Sequence, residues 1–226
     1  MINKNINLLS NSYKQNFKNS SPFEHLVFDD FLENDHAESL FDFTKNIKRW
    51  RDTHVYNSTK HIQNRLVADY SEIQGILKST IDFFYSDLVV NFISNVLELN
   101  IERQQRWRGG GLQKSTNGAF LDVHLDNSWH PEIECWSVAN CIYYLSSDWN
   151  ETFGGDLELW NKNECVKKIS PIRNRCVFTI NNDFSYHGYP SPMKLPQEKF
   201  RQSLVLFYYS KSPNQKSSKR DKAEWL

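Results

Sequence analysis

The spacing of apolar residues changes near residue 100. Before that point they recur every three or four positions, which would place them on one face of a helix. The first such stretch opens at Asp35, with Glu38 three residues later as in a capping box, and the second runs from Ser71 to about Leu99, unbroken or broken once. The apolar positions are Ala37, Leu40, Phe41 and Ile47 in the first stretch, and Ile73, Ile76, Leu77, Ile81 and Phe84 in the second. We predict two helical stretches here, preceded by a short strand over 25–28.

After residue 100 the chain alternates short β-prone runs with turn residues. The predicted strands cover 119–126, 136–145, 156–160, 165–169, 175–180 and 201–209. Many short strands at this spacing are typical of a sandwich or a jelly roll, and the helical first half would then support one of its sheets. The predicted fold class is α+β, mainly β.

One domain accounts for the whole pattern, since we find neither a linker nor an internal repeat. The domain is predicted to span 21–210, with helical support over about 30–100 and a β core over about 101–210. Residues 1–20 are predicted to form a loosely ordered arm and 211–226 a polar tail, because both segments are rich in polar residues.

Composition narrows the class of partner. Lys+Arg and Asp+Glu both number 27, so the net charge is zero and no field of one sign favours nucleic acid or an anionic membrane. No apolar run approaches the ~20 residues that cross a bilayer, and the polar N-terminus lacks the apolar segment of a signal peptide. We therefore expect a cytoplasmic protein. The four cysteines form no C-x-x-C pair and are expected to be reduced, buried thiols.

The candidate chemistry begins at His124 and Asp126. Because side chains alternate along a strand, these two share one face, while Leu121, Val123 and Leu125 share the other. An imidazole and a carboxylate at this separation can chelate one metal ion. The H-x-D pattern is common by chance, however, and on its own it more often marks a surface histidine beside an aspartate.

A second histidine and a cation extend this pattern. His187 follows a strongly apolar strand, and two histidines with one carboxylate leave three positions open on one side of a metal, as in non-haem Fe(II) oxygenases. Arg201 and Ser203 lie two apart on one strand, so that guanidinium and hydroxyl can hold the same carboxylate. Asn140 and Tyr144 share a face of an earlier strand and are further candidate contacts for a cosubstrate.

Residues from about 109 to 209 resemble the prolyl-hydroxylase-like branch of the iron(II)/2-oxoglutarate-dependent oxygenases. The resemblance is carried by the segments LDVHLD, CIYYLSSDWNETFGGDLELW, SYHG and FRQSLVLFYYS, in this order. It implies a double-stranded β-helix, which is a jelly-roll core with the metal inside its open end. The implied site consists of iron ligands His124, Asp126 and His187 and a 2-oxoglutarate anchor at Arg201, supported by Tyr144 and Ser203.

The resemblance also implies the reaction. An unactivated C–H bond of a prolyl or other amino-acid-like substrate would be hydroxylated with Fe(II), 2-oxoglutarate and O2, releasing succinate and CO2, with ascorbate as a possible reductant. The alternative from another class is a non-catalytic jelly-roll module that retains the metal site. Halogenation is disfavoured because Asp126 occupies the position that a halide would need, and a cupin-type enzyme without a cosubstrate would not need Arg201.

The substrate is the part that the motifs leave open, as either a small molecule or a peptide. Prolyl hydroxylases often have a Tyr on the strand before H-x-D, whereas this chain has Gln, Lys and Ser at 113–115. Loops 127–136 and 190–196 are expected to line the mouth of the site. The candidate substrate contacts are Gln113, Trp129 and His130. Nothing in the sequence links the remaining histidines to the site, namely His25, His36, His54 and His61.

Overall fold

The helices of the protein lie in its first half and pack against a large antiparallel sheet. The computed structural model describes residues 1–53, 61–103, 105 and 108–226. Its helices are α1 (Ser12–Lys18), α2 (Asn34–Lys45), α3 (Gly75–Phe84) and α4 (Asp87–Leu97). The predicted second helical stretch is therefore two helices, and the break falls at Tyr85 and Ser86, where the chain leaves the α conformation.

Twelve strands form the sheet in the described part of the chain. They are β1 (His25–Phe28), β2 (Trp50–Asp52), β3 (Ile62–Ala68), β4 (Gly111–Leu125), β5 (Trp129–His130), β6 (Cys135–Tyr144), β7 (Leu157–Trp160), β8 (Cys165–Ile169), β9 (Cys176–Ile180), β10 (Tyr186–Tyr189), β11 (Arg201–Ser210) and β12 (Glu224–Trp225). The order is β1-β9-β6-β11-β4-β10-β7-β8, with β3 and β12 also on β4, β2 on β3 and β5 on β6. This curled, mainly β arrangement is a jelly roll and confirms the predicted fold class.

Strand β4 connects the two halves of the roll. Its first residues pair with β11 on one side and β3 on the other, and its last residues pair with β10 and β12. A 15-residue strand is long for a globular protein, and this length lets one strand serve both layers. The predicted strand at 119–126 was therefore only the second half of β4.

The helices bury their apolar faces against the outer side of the sheet. Phe92 of α4 packs edge-on against Phe178 of β9 and Phe28 of β1, with ring centroids 5.5 and 6.1 Å apart. Phe84 of α3 stacks on Phe31 at 5.6 Å. Each of these rings is at most 7 % exposed. Burying large aromatic side chains is a major source of stability, so the expected role of the helices as a support is confirmed.

The first half nevertheless contains two strands that we expected to be helical support or loop. Strands β2 and β3 pair with each other, and β3 extends the sheet along β4. The apolar spacing missed β3 because Gln63, Asn64 and Arg65 interrupt it, and the side chains of the segment are only half-buried.

The predicted capping box is also wrong. Helix α2 begins at Asn34 without a side-chain cap, and Glu38 pairs with Arg173 at 2.8 Å instead.

Both ends of the chain pack on the domain, contrary to the expected loose arm and polar tail. In the first segment, Leu8 and Phe17 are 2 % and 3 % exposed and belong to the main core. Near the other end, β12 pairs with β4, and Asn214 is buried against the backbone of Val138. A polar composition did not reveal these contacts, because a few apolar or amide side chains are enough to hold a short segment. In the part of the chain that the structure describes, no helix has the length and apolar character needed to cross a membrane.

Candidate metal and cosubstrate site

The imidazoles of His124 and His187 face each other because their strands are paired. His187 of β10 lies directly opposite His124 of β4, and the ring centroids are 4.6 Å apart. Asp126 follows β4 by one residue and lies between them: His124 Nε2 is 3.4 Å from Oδ1, and His187 Nε2 is 3.5 Å from Oδ2. The three potential ligand atoms lie within 4.8 Å of one another.

The backbone holds both imidazoles in the orientation that metal binding requires. Nδ1 of His124 is 2.8 Å from the carbonyl oxygen of Asp122, and Nδ1 of His187 is 2.9 Å from that of Ser185. A carbonyl oxygen only accepts, so in each neutral ring Nδ1 carries the proton and donates it. Nε2 is then left with its lone pair facing Asp126, which is the tautomer of a metal ligand.

Asn140 of β6 holds the carboxylate of Asp126. Its amide nitrogen donates to Asp126 Oδ2 at 2.9 Å, and Thr179 donates in turn to the Asn140 amide oxygen. We had predicted Asn140 as a cosubstrate contact, whereas the structure engages its amide with the metal-site carboxylate. Burial raises the pKa of Asp126, but the neighbouring imidazoles of His187 and His124 and the hydrogen bond from Asn140 outweigh it. The net pKa lies below the usual range, so the group is a carboxylate at neutral pH.

The electrostatics of His187 also favour a metal over a proton. Burial lowers its pKa, the charge of Asp126 raises it, and His124 lowers it, with a net decrease. A neutral imidazole is the form that binds metal ions. Two imidazoles and one carboxylate on one side of a cavity make up the donor set typical of non-haem Fe(II) oxygenases, so the residues present fit Fe(II).

Arg201 of β11 lies inside the roll with its guanidinium between two tyrosines. Its Nε donates to the carbonyl oxygen of Gly155 at 2.7 Å and its Nη2 to the hydroxyl of Tyr144 at 3.3 Å. The guanidinium carbon is 5.2 Å from the ring centroid of Tyr144 and 4.3 Å from that of Tyr189. Arg201 is 5 % exposed and pairs with no acidic side chain in the described residues. Its remaining N–H donors suit an incoming carboxylate.

Tyr144 and Ser203, the predicted supporting contacts, lie beside Arg201. The two are opposite each other in the pairing of β6 with β11, and Ser203 lines the cavity. Burial raises the pKa of Tyr144 despite the opposing effect of Arg201, so its hydroxyl stays protonated. A hydroxyl that accepts from Arg201 can still donate its own proton to a carboxylate.

A cavity of about 1370 Å³ joins the metal-ligand candidates to Arg201. Its wall includes Gln113 and His130, two of the three residues that we predicted to contact substrate. Trp129 is not part of the wall; its ring packs edge-on against Trp136 and lies under the Lys219 ammonium at 3.8 Å. Residues 127 and 130–132 contribute to the mouth, whereas the loop 190–196 does not.

Sequence reasoning missed many residues of the wall, among them Arg65, Tyr189 and Trp225. Trp225 of β12 lies opposite His124, with ring centroids 5.0 Å apart. His61 stacks on the other side of Trp225 at 4.6 Å, and its Nδ1 is 2.9 Å from Asp122 Oδ2. The expectation that nothing links His61 to the site was therefore wrong. His25 and His36 lie elsewhere, and His54 lies outside the described residues.

Residues 110–210 match the family model of the 2OG-Fe(II) oxygenase superfamily. These residues contain β4, the three metal-ligand candidates and Arg201. A search of curated proteins found no match.

Several solved structures share the fold at low sequence identity. A prolyl-4-hydroxylase from Pseudomonas putida superposes with a TM-score of 0.64 at 14 % identity, over 88 % of this chain and 98 % of that one. A prolyl hydroxylase from Trichoplax adhaerens, in complex with a hypoxia inducible factor peptide fragment, gives 0.61 at 18 %, over 82 % and 83 %. HygX from Streptomyces hygroscopicus, with nickel and 2-oxoglutarate bound, gives 0.59 at 13 %, over 89 % and 87 %.

Proposed function

We propose that this chain is an oxygenase that uses Fe(II) and 2-oxoglutarate and that it hydroxylates an amino-acid-like substrate, because residues 110–210 match the family model of the 2OG-Fe(II) oxygenase superfamily. The reaction would insert oxygen into an unactivated C–H bond of a prolyl or related group and release succinate and CO2. The observation that supports this most is the presence, in one cavity, of the His124, Asp126 and His187 donors together with Arg201.

In the proposed mechanism each residue has a distinct task. His124, Asp126 and His187 hold the metal through Nε2, a carboxylate oxygen and Nε2, while the Asp122 and Ser185 carbonyls fix the two imidazoles. When bound, Fe(II) supplies the oxidising chemistry that no protein side chain can provide.

Arg201, Tyr144 and Ser203 would hold the cosubstrate. The Arg201 guanidinium would bind the distal carboxylate of 2-oxoglutarate, assisted by the hydroxyls of Tyr144 and Ser203. Arg201, Tyr144 and Ser203 are buried, so their charge-assisted hydrogen bonds to a carboxylate would be stronger than in water.

Prolyl hydroxylases are among the structures similar to this chain, and HygX was solved also with hygromycin B bound. These proteins act on or bind different kinds of molecule, so the fold alone does not select a substrate. We propose the amino-acid-like class because the segments from LDVHLD to FRQSLVLFYYS resemble the prolyl-hydroxylase-like branch. The rival proposal is a binding module that retains the metal site without turnover, and a measurement of turnover separates it from the oxygenase.

The decisive experiment is anaerobic titration with Fe(II) and 2-oxoglutarate, followed by exposure to O2. Wild-type protein is expected to give the visible absorption of an Fe(II)–2-oxoglutarate complex and to form succinate with O2 uptake. His124→Ala should lose the absorption, and Arg201→Ala should require at least about tenfold more 2-oxoglutarate. His36→Ala is the matched control, since His36 bonds to Thr80 on the outer helices. Absorption without any succinate would favour the binding module.

A further inference from the structure

Arg65 places a second guanidinium on the wall of the cavity, in line with Arg201. Arg65 of β3 and Arg201 of β11 both lie opposite Ser115 of β4, one on each side of it. Residues opposite each other on adjacent strands project from the same face, and adjacent strands lie about 4.8 Å apart. The two arginine backbones are therefore about 10 Å apart across the sheet, and both side chains line the cavity.

Arg65 has no acidic partner among the described residues. Its Nε donates to Gln113 Oε1 at 3.2 Å, and the Gln113 amide nitrogen donates to the carbonyl oxygen of Gly109 at 3.1 Å. Its terminal N–H groups make no hydrogen bond to the part of the chain that the structure describes. Burial lowers the pKa of Arg65 and the charge of Arg201 lowers it further, while Tyr189 and Asp126 raise it. Arginine keeps its proton even so, and the charge needs compensation.

The cofactors do not supply this compensation. The Asp126 carboxylate is already engaged by His124, His187 and Asn140, and in the proposed function it also binds the metal ion. 2-Oxoglutarate brings two carboxylates, of which one binds Arg201 and the other belongs to the metal end. Among the described residues, Arg65 would thus still have no acidic partner after both cofactors are in place. A cavity of about 1370 Å³ exceeds the volume of 2-oxoglutarate, so there is room for an anion beside it.

We propose that Arg65 binds a free carboxylate of the primary substrate. The substrate is then a carboxylic acid, either a free amino acid or a residue at the C-terminus of a peptide, and not an internal residue of a polypeptide. This inference rests on the proposed function, because it places the substrate carboxylate in the part of the cavity that Fe(II) and 2-oxoglutarate would not fill. The planar guanidinium fork binds a carboxylate through two parallel hydrogen bonds, and Gln113 holds the fork in place through Nε.

The test compares acids with their amides. Protein loaded with Ni(II) and 2-oxoglutarate is titrated, by calorimetry, with the protein L-amino acids, their carboxamides, and X-Pro dipeptides with free or amidated C-termini. At least one acid is expected to bind at least about tenfold more tightly than its amide. That preference should disappear in Arg65→Gln and persist in weaker form in Arg65→Lys. Comparing the X-Pro dipeptides with the free amino acids shows whether the carboxylate belongs to a peptide C-terminus or to a free amino acid.

Controls separate this proposal from a folding defect and from the proposed function. Arg173→Gln removes an arginine that pairs with Glu38 away from the cavity, and it should keep the acid preference. A panel in which no acid binds better than its amide overturns the proposal, as does a preference that survives in Arg65→Gln. Weaker binding of 2-oxoglutarate alone in Arg65→Gln would assign Arg65 to the cosubstrate and overturn it too. Succinate formation by the Fe(II) wild type is measured separately, and its absence would refute oxygenase activity while leaving an observed acid preference intact.

Discussion

Gly155 determines where the Arg201 guanidinium lies. Its carbonyl oxygen accepts the Arg201 Nε hydrogen bond, and its φ of +73° belongs to the left-handed region that favours glycine. A Cβ at this position would clash with Met193 Sδ and lie 3.3 Å from Arg201 Cδ. The close approach of backbone to arginine therefore requires the absence of a side chain.

Gly155→Ala is expected to weaken 2-oxoglutarate binding by about tenfold or more, because Met193 and Arg201 must both move. Gly154→Ala is the matched control: φ is +71° and nothing lies within 4 Å of its Cβ position, so it adds only backbone strain of ~1–3 kcal/mol. Calorimetric titration and thermal unfolding of both variants check this. Equal loss of affinity in the two variants would mean that strain, not contact with Arg201, sets the effect.

At the level of the element, β12 supports the metal end of the cavity. Trp225 lies opposite His124 and has its ring between His124 and His61. The backbone nitrogen of Leu226 donates to Val123 at 2.9 Å, so β12 also completes the hydrogen bonding of β4 there. Groups that orient a metal ligand from outside commonly contribute ten- to a hundredfold to metal affinity.

Trp225→Ala should therefore weaken Ni(II) or Fe(II) binding by about tenfold, since His124 loses the ring that restricts it. Trp129→Ala offers a comparison at a tryptophan of similar exposure that packs outside the cavity, and its metal affinity should match that of the wild type. The measurement is metal titration in a competitive chelator buffer. Similar losses in both variants would point to a general effect on the fold.

Across the whole molecule, protonation of histidines links stability to pH. The pKa values of His25, His36 and His187 are all lowered, mainly by burial. The unfolded chain therefore takes up protons below about pH 6.5 that the folded chain does not yet bind. The free energy of unfolding of the metal-free protein therefore decreases progressively as the pH falls below about 6.5.

Urea unfolding of the metal-free protein should give a lower midpoint at pH 5.5 than at pH 7.5. His36→Gln, which removes one of the three groups, should reduce the difference slightly because His36 is only partly buried. Saturating Ni(II) should enlarge the difference between the midpoints at the two pH values, since protons and the metal ion compete for His187. A midpoint that is the same at both pH values would contradict the prediction.

Much of the fold and the site was readable from local patterns. Because side chains alternate along a strand, the segment LDVHLD predicted that His124 and Asp126 share one face of β4. The two-residue spacing of Arg201 and Ser203 likewise predicted a shared face on β11. The apolar spacing of α2, α3 and α4 predicted those helices, because a face that packs on a sheet must repeat with the helical period. These features depend on neighbours in the sequence, and that is why the sequence alone determined them.

Tertiary structure decided the features that depend on strand pairing over long separations. Arg65 and Trp225 reach the cavity only because β3, which precedes β4 in the chain, and β12, near the C-terminal end, both pair with β4. The alternation rule says which face a side chain takes but not which strand lies beside it, so neither residue could be assigned from its own segment. The sequence determined a likeness to an iron and 2-oxoglutarate site; the pairing of distant strands decided which further side chains surround it.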